Sequence, residues 1–307
     1  MASEKFPQQT LQCAVTVSGV ALHSGVDVEV TLHPAPRDHG IRFRRIDLAD
    51  APEIAVGPQT LEAGQRCTAL RNPSAGVRTV EHLLAVTYAL GIDNLLIDIS
   101  AEEMPILDGS AAPWLAAVDS AGIAACDGEA RVIDVVEPVL VSVGETHLLA
   151  LPSPQLRVSA ASVTAHPVAG SQAADIIVTP ERFRSTLATA RTFCYLEEVE
   201  ALRAAGLARG GSLENAIVVM PDGYSSPLRM PNELAAHKAL DLLGDLATLG
   251  LRLRAHVVAV KPGHAANQQL VKAIWSQYCC GQSESLKEGI APSCGMEADN
   301  HRPVTVR

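Results

Sequence analysis

Aromatic residues make up only 3% of this 307-residue chain. Its core therefore has to be built from Val, Leu, Ile and Ala. Positive charge is short as well: 24 Lys and Arg stand against 34 Asp and Glu, a formal net charge of -10. That balance disfavours bulk binding to nucleic acid, whose phosphate backbone needs a net positive face. A local basic pocket for a small anionic ligand is still allowed. The seven cysteines are scattered and odd in number, and Cys279 and Cys280 are adjacent. This is unlike a disulfide framework and fits a reducing cytosol. No apolar run reaches the length of a membrane span. The polar start MASEKFPQQT lacks the apolar centre of a secretion signal. A cytoplasmic location without a transmembrane segment is expected, so a lipid-like substrate would be met by a soluble enzyme.

What the chain has in quantity is aliphatic. Hydrophobic residues are 48% of the total, enough for a large core and for two domains rather than one. The stretch NELAAHKALDLLGDLATLG, 232–250, organises the rest. Asn232 reads as an N-cap and Gly250 as a glycine just past the end, so a helix is expected between them. Leu240, Leu243, Leu246 and Leu249 are three apart and form its apolar stripe, which Leu234 and Leu242 widen. His237, Asp241 and Asp245 are four apart and stack on one face. Such a column is costly on a largely apolar helix unless something satisfies it. A divalent metal is the simplest partner; a solvated surface His–Asp pair is the common alternative for this spacing taken alone.

A hydrolytic zinc site takes three protein ligands and leaves one position for water. His237 and Asp241 supply two. His82 is the best third ligand, because it stands at a helix start beside Glu81 in TVEHLLAVTYALG, 79–91. His23, His33, His39, His147, His166 and His256 have no acid in an equivalent place and rank lower. Glu81 is the natural general base. His264 lies after a strand in the expected loop Lys261-Pro262-Gly263-His264. Cationic, it could stabilise an oxyanion and protonate a leaving amine. Asp245, one turn past Asp241, is placed to orient it. Lys238 points to the side of the column and could hold a phosphate as a point charge, although an ordinary surface lysine fits its spacing equally well. His82 and His237 are distant in sequence, so a shared ion would lie in an interdomain cleft.

Along the chain, strands are expected at 8–17, 26–32, 41–45 and 94–99, with 51–63 a mixture of strand and loop. Pro105 to Gly109 reads as a loop, and Ser110 as the cap of a short helix with Pro113 near its start. In the second half, strands are expected at 133–143, 147–151, 156–163, 216–220 and 255–260. Thr179-Pro180-Glu181 opens a helix to about 188, another spans 196–205, and a last one spans 267–278. The pattern breaks near Asp127-Gly128-Glu129. Each half reads as a sheet with two main helices, an α+β architecture.

The stretches GVALHSG, LHPAPRDHGIRFRR, TVEHLLA, LGIDNLLIDI, MPILDGSAAPW, ARTFCYLEEVEALRAAGLARGGSLENAIVV, HKALDLLGDL and GHAANQQL occur in an order that resembles the UDP-3-O-acyl-N-acetylglucosamine deacetylases, the zinc amidases of lipid A biosynthesis. The resemblance runs from about Gln8 to Tyr278. It implies two similar β-α-α-β domains, 1–126 and 127–280, with helices packed between two outer sheets and the active site in the cleft. A βαβ insert near 193–219 would shape an apolar passage for a fatty acyl chain. Residues 281–307, polar and rich in Ser, Gly and Pro, read by composition as a loose tail. The implied zinc ligands are His82, His237 and Asp241, with iron(II) an alternative occupant in the cell. Glu81 would be the base and His264 the cationic acid, supported by Asp245. Thr192 of ARTF would donate its hydroxyl to the developing oxyanion, and Lys238 and Phe193 would contact substrate. The implied reaction removes acetyl from the 2-amino group of a UDP-linked 3-O-acylglucosamine. Two other readings remain at this stage: an amidase for another N-acetyl sugar or acyl amide, and a zinc-stabilised scaffold without catalysis.

Overall fold

Alternation places the first well-defined sheet. Val28, Val30 and Leu32 are buried while Asp27 and Glu29 are exposed. Their strand pairs along its length with the one before it. The computed structural model describes residues 6–62, 64 and 66–279. The tail expected at 281–307 lies outside them. The first half runs β1 (Pro7–Leu11), β2 (Val15–Val20), β3 (Asp27–Pro34), β4 (Ile41–Arg45), β5 (Glu53–Ala55), β6 (Leu61–Glu62), β7 (Ala69–Arg71), β8 (Gly76–Arg78), α1 (Glu81–Leu90), β9 (Leu95–Ile99), α2 (Ala112–Ala121) and β10 (Ile123–Glu129). The second half begins with β11 (Val132–Asp134), β12 (Val139–Val143), β13 (Thr146–Leu151), β14 (Arg157–Ser162), β15 (Gln172–Ile177) and α3 (Pro180–Thr186). It continues through β16 (Phe193–Tyr195), α4 (Leu196–Ala204), β17 (Ile217–Met220), β18 (Gly223–Tyr224), α5 (Glu233–Ala247), β19 (Arg252–Arg254), β20 (His256–Val260) and α6 (His264–Tyr278).

The chain is an α+β protein with two five-stranded sheets. One is ordered β2-β3-β9-β4-β5 and the other β12-β13-β20-β14-β15. In each, the last strand in sequence sits at the centre and makes the one parallel pairing, β9 with β4 and β20 with β14. Smaller sheets join β6-β7-β8 and β16-β17-β18. In the latter, α4 connects the parallel pair β16 and β17.

Two helices meet at the centre. Every residue of α5 except Lys238 is buried, as is every residue of α1 except Tyr88. A helix buried all round has no wet face on which to place its polar groups, so Glu81, His82, His237, Asp241 and Asp245 must be satisfied from within. The apolar remainder carries stability: each fully buried Leu of α5, such as Leu240, Leu243 or Leu246, contributes roughly 1.5–3 kcal/mol. Helices α1 and α5 pack directly on each other, α5 also lies on β14 and β15, and α6 packs on α5, β12 and β13. Gly244 permits the close α1–α5 contact. A Cβ there would stand 2.2 Å from the Glu81 carbonyl oxygen. Gly91 ends α1 with φ 69 and Gly250 follows α5 with φ 67, the left-handed geometry that suits glycine.

Several expected boundaries move. The single strand expected at 8–17 is two, β1 and β2, which belong to different sheets. The strand expected at 133–143 divides into β11 and β12 on either side of Glu137-Pro138, because proline has no N–H to give a ladder. Asp127-Gly128-Glu129, read as a break in the pattern, is the end of β10, which pairs with β1. Asn232 precedes α5 but does not cap it with its side chain; its amide donates to the Ala173 carbonyl at 3.0 Å. Ser110 is one residue outside the N-cap of α2, and its hydroxyl accepts from the Ala112 N–H at 3.2 Å. Helix α6 starts at His264 rather than at 267. His264 is therefore a first-turn helical residue and not a loop residue.

Candidate active site

The site begins where α1 begins. Thr79, two residues before the helix, has φ 60. That left-handed conformation is rare for a β-branched residue and costs on the order of 1–3 kcal/mol. It turns the chain from β8 into α1, so that Glu81 and His82 face α5 in the first turn. Glu81 Oε2 accepts the backbone N–H of Thr68 at 3.0 Å.

His82, His237 and Asp241 come together. Their nearest ligand atoms all lie within 4.8 Å of one another. His237 Nε2 is 3.3 Å from Asp241 Oδ1, and His82 Nε2 is 4.0 Å from the same oxygen. The two imidazole centroids are 5.2 Å apart with the rings at 81°. An ion with ligand bonds of about 2.0–2.1 Å in a tetrahedral arrangement spaces its ligands roughly 3.3 Å apart. The donor chemistry also fits. Burial pushes the His82 imidazole down to about 3 and lowers His237 as well, so both rings are neutral near pH 7 and keep a lone pair. His237 Nδ1–H donates to the Ala190 carbonyl at 3.0 Å, which leaves Nε2 as the lone-pair nitrogen. Burial alone would raise the Asp241 carboxyl, but His237, Lys238, His264 and His82 outweigh it and hold the group ionised. Two neutral imidazoles and one carboxylate in a buried cluster can hold a divalent cation. Among the described residues this is the one group of His, Cys, Asp and Glu with that geometry.

The remaining site residues surround this triad. Burial raises the Glu81 carboxyl to about 7, against the opposing pull of His264. His264 shows the reverse. Burial alone would lower it, but Asp245, Glu81 and Asp241 raise it to about 10. Its Nδ1–H donates to Asp245 Oδ2 at 2.9 Å, and its Nε2 stands 3.8 Å from Glu81 Oε1. A carboxyl that ionises near neutrality and an imidazolium that keeps its proton thus face one point beside the triad. Lys238 leans over the column rather than away from it: its Nζ donates to Asp241 Oδ2 at 3.0 Å and sits 5.4 Å from the Phe193 ring centroid. Phe193 meets His237 edge-on with centroids 6.3 Å apart. The Thr192 N–H donates to the Gly109 carbonyl at 2.7 Å.

Eight of the nine expected site residues line a single cavity of about 580 Å³; Asp245 lies behind His264. The lining also includes the apolar side chains of Leu22, Val199, Leu202, Leu213 and Val218, together with Arg66, Arg203 and Lys261. Of the histidines ranked lower, His23 also lines the cavity, with its Nδ1 buried and without a hydrogen-bond partner. The others are used elsewhere. For example, His33 contacts Asp98 at 3.0 Å and His256 contacts Ser159 at 2.8 Å.

Four residues that sequence reasoning passed over help build the site. Thr68 and Asn267 both donate to Asp245. Arg191 and Glu233 form a buried pair at 2.8 Å. This pair ties the first turn of α5 to the segment carrying Ala190, Thr192 and Phe193. The Arg191 N–H and the Arg229 N–H donate to the same carboxylate, at 3.1 and 2.6 Å. Three of them stood in stretches already singled out, Arg191 in ARTF, Asn267 in GHAANQQL and Glu233 at the start of 232–250; Thr68 stood in none.

The sequence also matches known proteins over most of its length. The family model for UDP-3-O-acyl N-acetylglycosamine deacetylase matches residues 8–276. The chain is similar to the UDP-3-O-acyl-N-acetylglucosamine deacetylase of Citrifermentans bemidjiense, with 40% identity over 275 residues, 89% of this chain and 90% of that protein. It is 41% identical to the protein of that name from Thermosynechococcus vestitus over 271 residues, 88% of this chain and 94% of that one. The Myxococcus xanthus protein of that name is 39% identical over 282 residues, 91% of this chain and 90% of that one. The chain belongs to the UDP-3-O-acyl N-acetylglycosamine deacetylase family.

Proposed function

We propose that this chain hydrolyses the N-acetyl group of a UDP-3-O-acyl-N-acetylglucosamine, giving acetate and the free 2-amine for lipid A biosynthesis. His82, His237 and Asp241 would hold the ion, with zinc favoured by two neutral imidazoles and a carboxylate in a compact set. Bound there, zinc would polarise the amide carbonyl and make water acidic enough to attack near neutral pH, its pKa lowered to about 7. Glu81 takes the proton of the attacking water as the new C–O bond forms. The charge that develops on the carbonyl oxygen is met by the His264 imidazolium and the Thr192 hydroxyl. When the C–N bond breaks, the amine takes its proton from the Glu81–His264 pair. Asp245 fixes the His264 ring and its protonation. Lys238, above Phe193, serves the nucleotide or sugar side of the substrate. The apolar side chains supplied by α4 and β17 take the acyl chain.

The observation that carries this reading is the placement of Glu81 Oε1 and His264 Nε2, 3.8 Å apart, in the same cavity as the triad. A scaffold needs no such pair. The same reading divides the chain into domains 1–126 and 127–280, the second with an insert near 193–219. The shared strand order of the two large sheets supports it. The test is acetate release from the UDP-linked substrate with and without its 3-O-acyl chain, with metal analysis of the same sample. Release that depends on about one equivalent of metal and on the acyl chain is expected. Equal turnover of the deacylated sugar would point to another N-acetyl substrate, and metal without turnover to a scaffold.

A further inference from the structure

In the small sheet β6-β7-β8, β6 falls in the stretch 51–63 expected to mix strand and loop, while β7 and β8 have no counterpart among the strands expected from sequence. Its middle strand is preceded by Thr68, which is fully buried. Antiparallel pairing of β7 with β8 places Thr68 beside the chain that enters α1, and the Val80 N–H points to the Thr68 carbonyl at 3.5 Å.

From there one residue reaches both halves of the acid–base pair. The Thr68 backbone N–H donates to Glu81 Oε2 at 3.0 Å. The Thr68 hydroxyl donates to Asp245 Oδ1 in a short hydrogen bond. The same hydroxyl oxygen lies 3.1 Å from His264 Nδ1, where it can share the ring N–H with Asp245. Asp245 Oδ2 takes that N–H at 2.9 Å and the Asn267 amide at 2.7 Å. Asp245 is completely shielded from solvent, so each oxygen depends on these donors. Oδ1 has the Thr68 hydroxyl.

We infer that Thr68 is a positioning residue for this deacetylase, tying the carboxylate of Glu81 and the Asp245–His264 pair to one point of the chain. It acts through other groups and touches no reacting atom. With its amide on Glu81 Oε2, the other oxygen of that carboxylate is left to face the cavity. With its hydroxyl on Asp245, the carboxylate keeps its orientation toward His264 Nδ1. The small sheet thereby has a role in catalysis, since it delivers Thr68 to a place between α1, α5 and α6.

The inference rests on the proposed function, and one set of variants tests both. Thr68→Val keeps the shape of the side chain and removes the donor. Thr68→Ser keeps the donor and removes a methyl group. Thr68→Ala leaves room for a water that can donate in its place. Acetate release should show kcat in the order Ser, Ala, Val, with Val about 10- to 100-fold below wild type. KM should stay within about threefold and metal content should match wild type. Ser should recover most of kcat although Val packs the buried site better, which a purely structural role would reverse. If Val does not fold, the Ser-to-Ala ratio gives the same answer. Wild-type kcat in Val, or Ser as impaired as Ala, overturns the positioning role. An inactive wild-type enzyme overturns the proposed function instead.

Discussion

The contact between α1 and α5 turns on one missing methyl group, and adding it should open the site. In Gly244→Ala the new Cβ would lie 2.2 Å from the Glu81 carbonyl oxygen, 2.8 Å from its carbonyl carbon and 2.9 Å from its Cα. These are backbone atoms of a buried helix, so no side chain can swing away. Ordinary contact begins near 3.4 Å, and the helices would have to part by roughly 1 Å. Alanine favours a helix interior by about 1 kcal/mol over glycine, while overpacking costs about 1–3 kcal/mol. The net loss of stability is then about 0–2 kcal/mol, and the protein stays folded. The larger effect falls on function, because α1 carries Glu81 and His82 while α5 carries His237 and Asp241. A misplacement near 1 Å can cost about 100-fold in rate. Metal affinity measured by chelator competition should fall along with kcat, while thermal melting moves by only a few degrees. Wild-type metal affinity and turnover in Gly244→Ala would show that the helices tolerate separation, and the account of how the site is assembled would be wrong.

Glu81→Ala and His264→Ala should each retain the fold and the metal and lose about 10²- to 10⁴-fold in turnover; near-normal activity in either would remove it from the assigned role. The active form has Glu81 ionised and His264 protonated. The rate should therefore rise as Glu81 loses its proton and fall as His264 does, toward pH 10, with a bound cation drawing the Glu81 limb below 7. In His264→Gln the alkaline limb should vanish. Glu233 tests stability rather than rate. Burial opposes its charge, but Arg191 and two backbone N–H groups outweigh burial and depress its pKa. The unfolded state therefore binds the proton more readily. The pair's contribution is present above the ordinary carboxylate pKa of about 4.3 and is lost as pH falls through the lower folded value. Urea unfolding at a series of pH values should show a shallower acid loss in Glu233→Gln, and an unchanged slope would sink the idea. The variant should also lose about 3–5 kcal/mol at neutral pH, because it leaves a buried guanidinium unpaired.

Much of the site was legible because helical spacing is rigid. Residues four apart must stack, so the column of His237, Asp241 and Asp245 could be drawn without coordinates. Glu81 and His82 are adjacent rather than stacked, and were read instead from an acid beside a His at the expected start of α1. Contacts between elements were legible where a His and an acid named each other, as for Asp245 and His264, but not for Thr68 or Asn267. The expected start of α6 was three residues late, at Asn267. Its amide is in fact used on Asp245, and Gly263 precedes the helix. Strands β7 and β8 have three residues each, too few for alternation to register, so Thr68 had no element to belong to. Gly244 reads in sequence only as a weak spot in a helix. Its value appears when the Glu81 carbonyl is seen against it.

The buried charges of the site also explain why its supports are themselves polar. Glu81, His82, His237, Asp241 and Asp245 are buried and His264 is nearly so, and an unpaired charge there is far more costly than in water. Hydrophobic packing could hold α1 near α5, but it could not fix which oxygen of Asp245 faces His264 or which nitrogen of His237 faces Asp241. Those choices fall to groups with direction: the Ala190 carbonyl on His237, the Asn267 amide and Thr68 hydroxyl on Asp245, and the Thr68 N–H on Glu81. Glycine sets the distance between the two helices and hydrogen bonds set the angles within that distance. Leu240, Leu243 and Leu246 supply the stability that lets both be maintained. A substitution in the apolar ridge should therefore lower stability before it changes the reaction, and one among the directing groups should do the reverse.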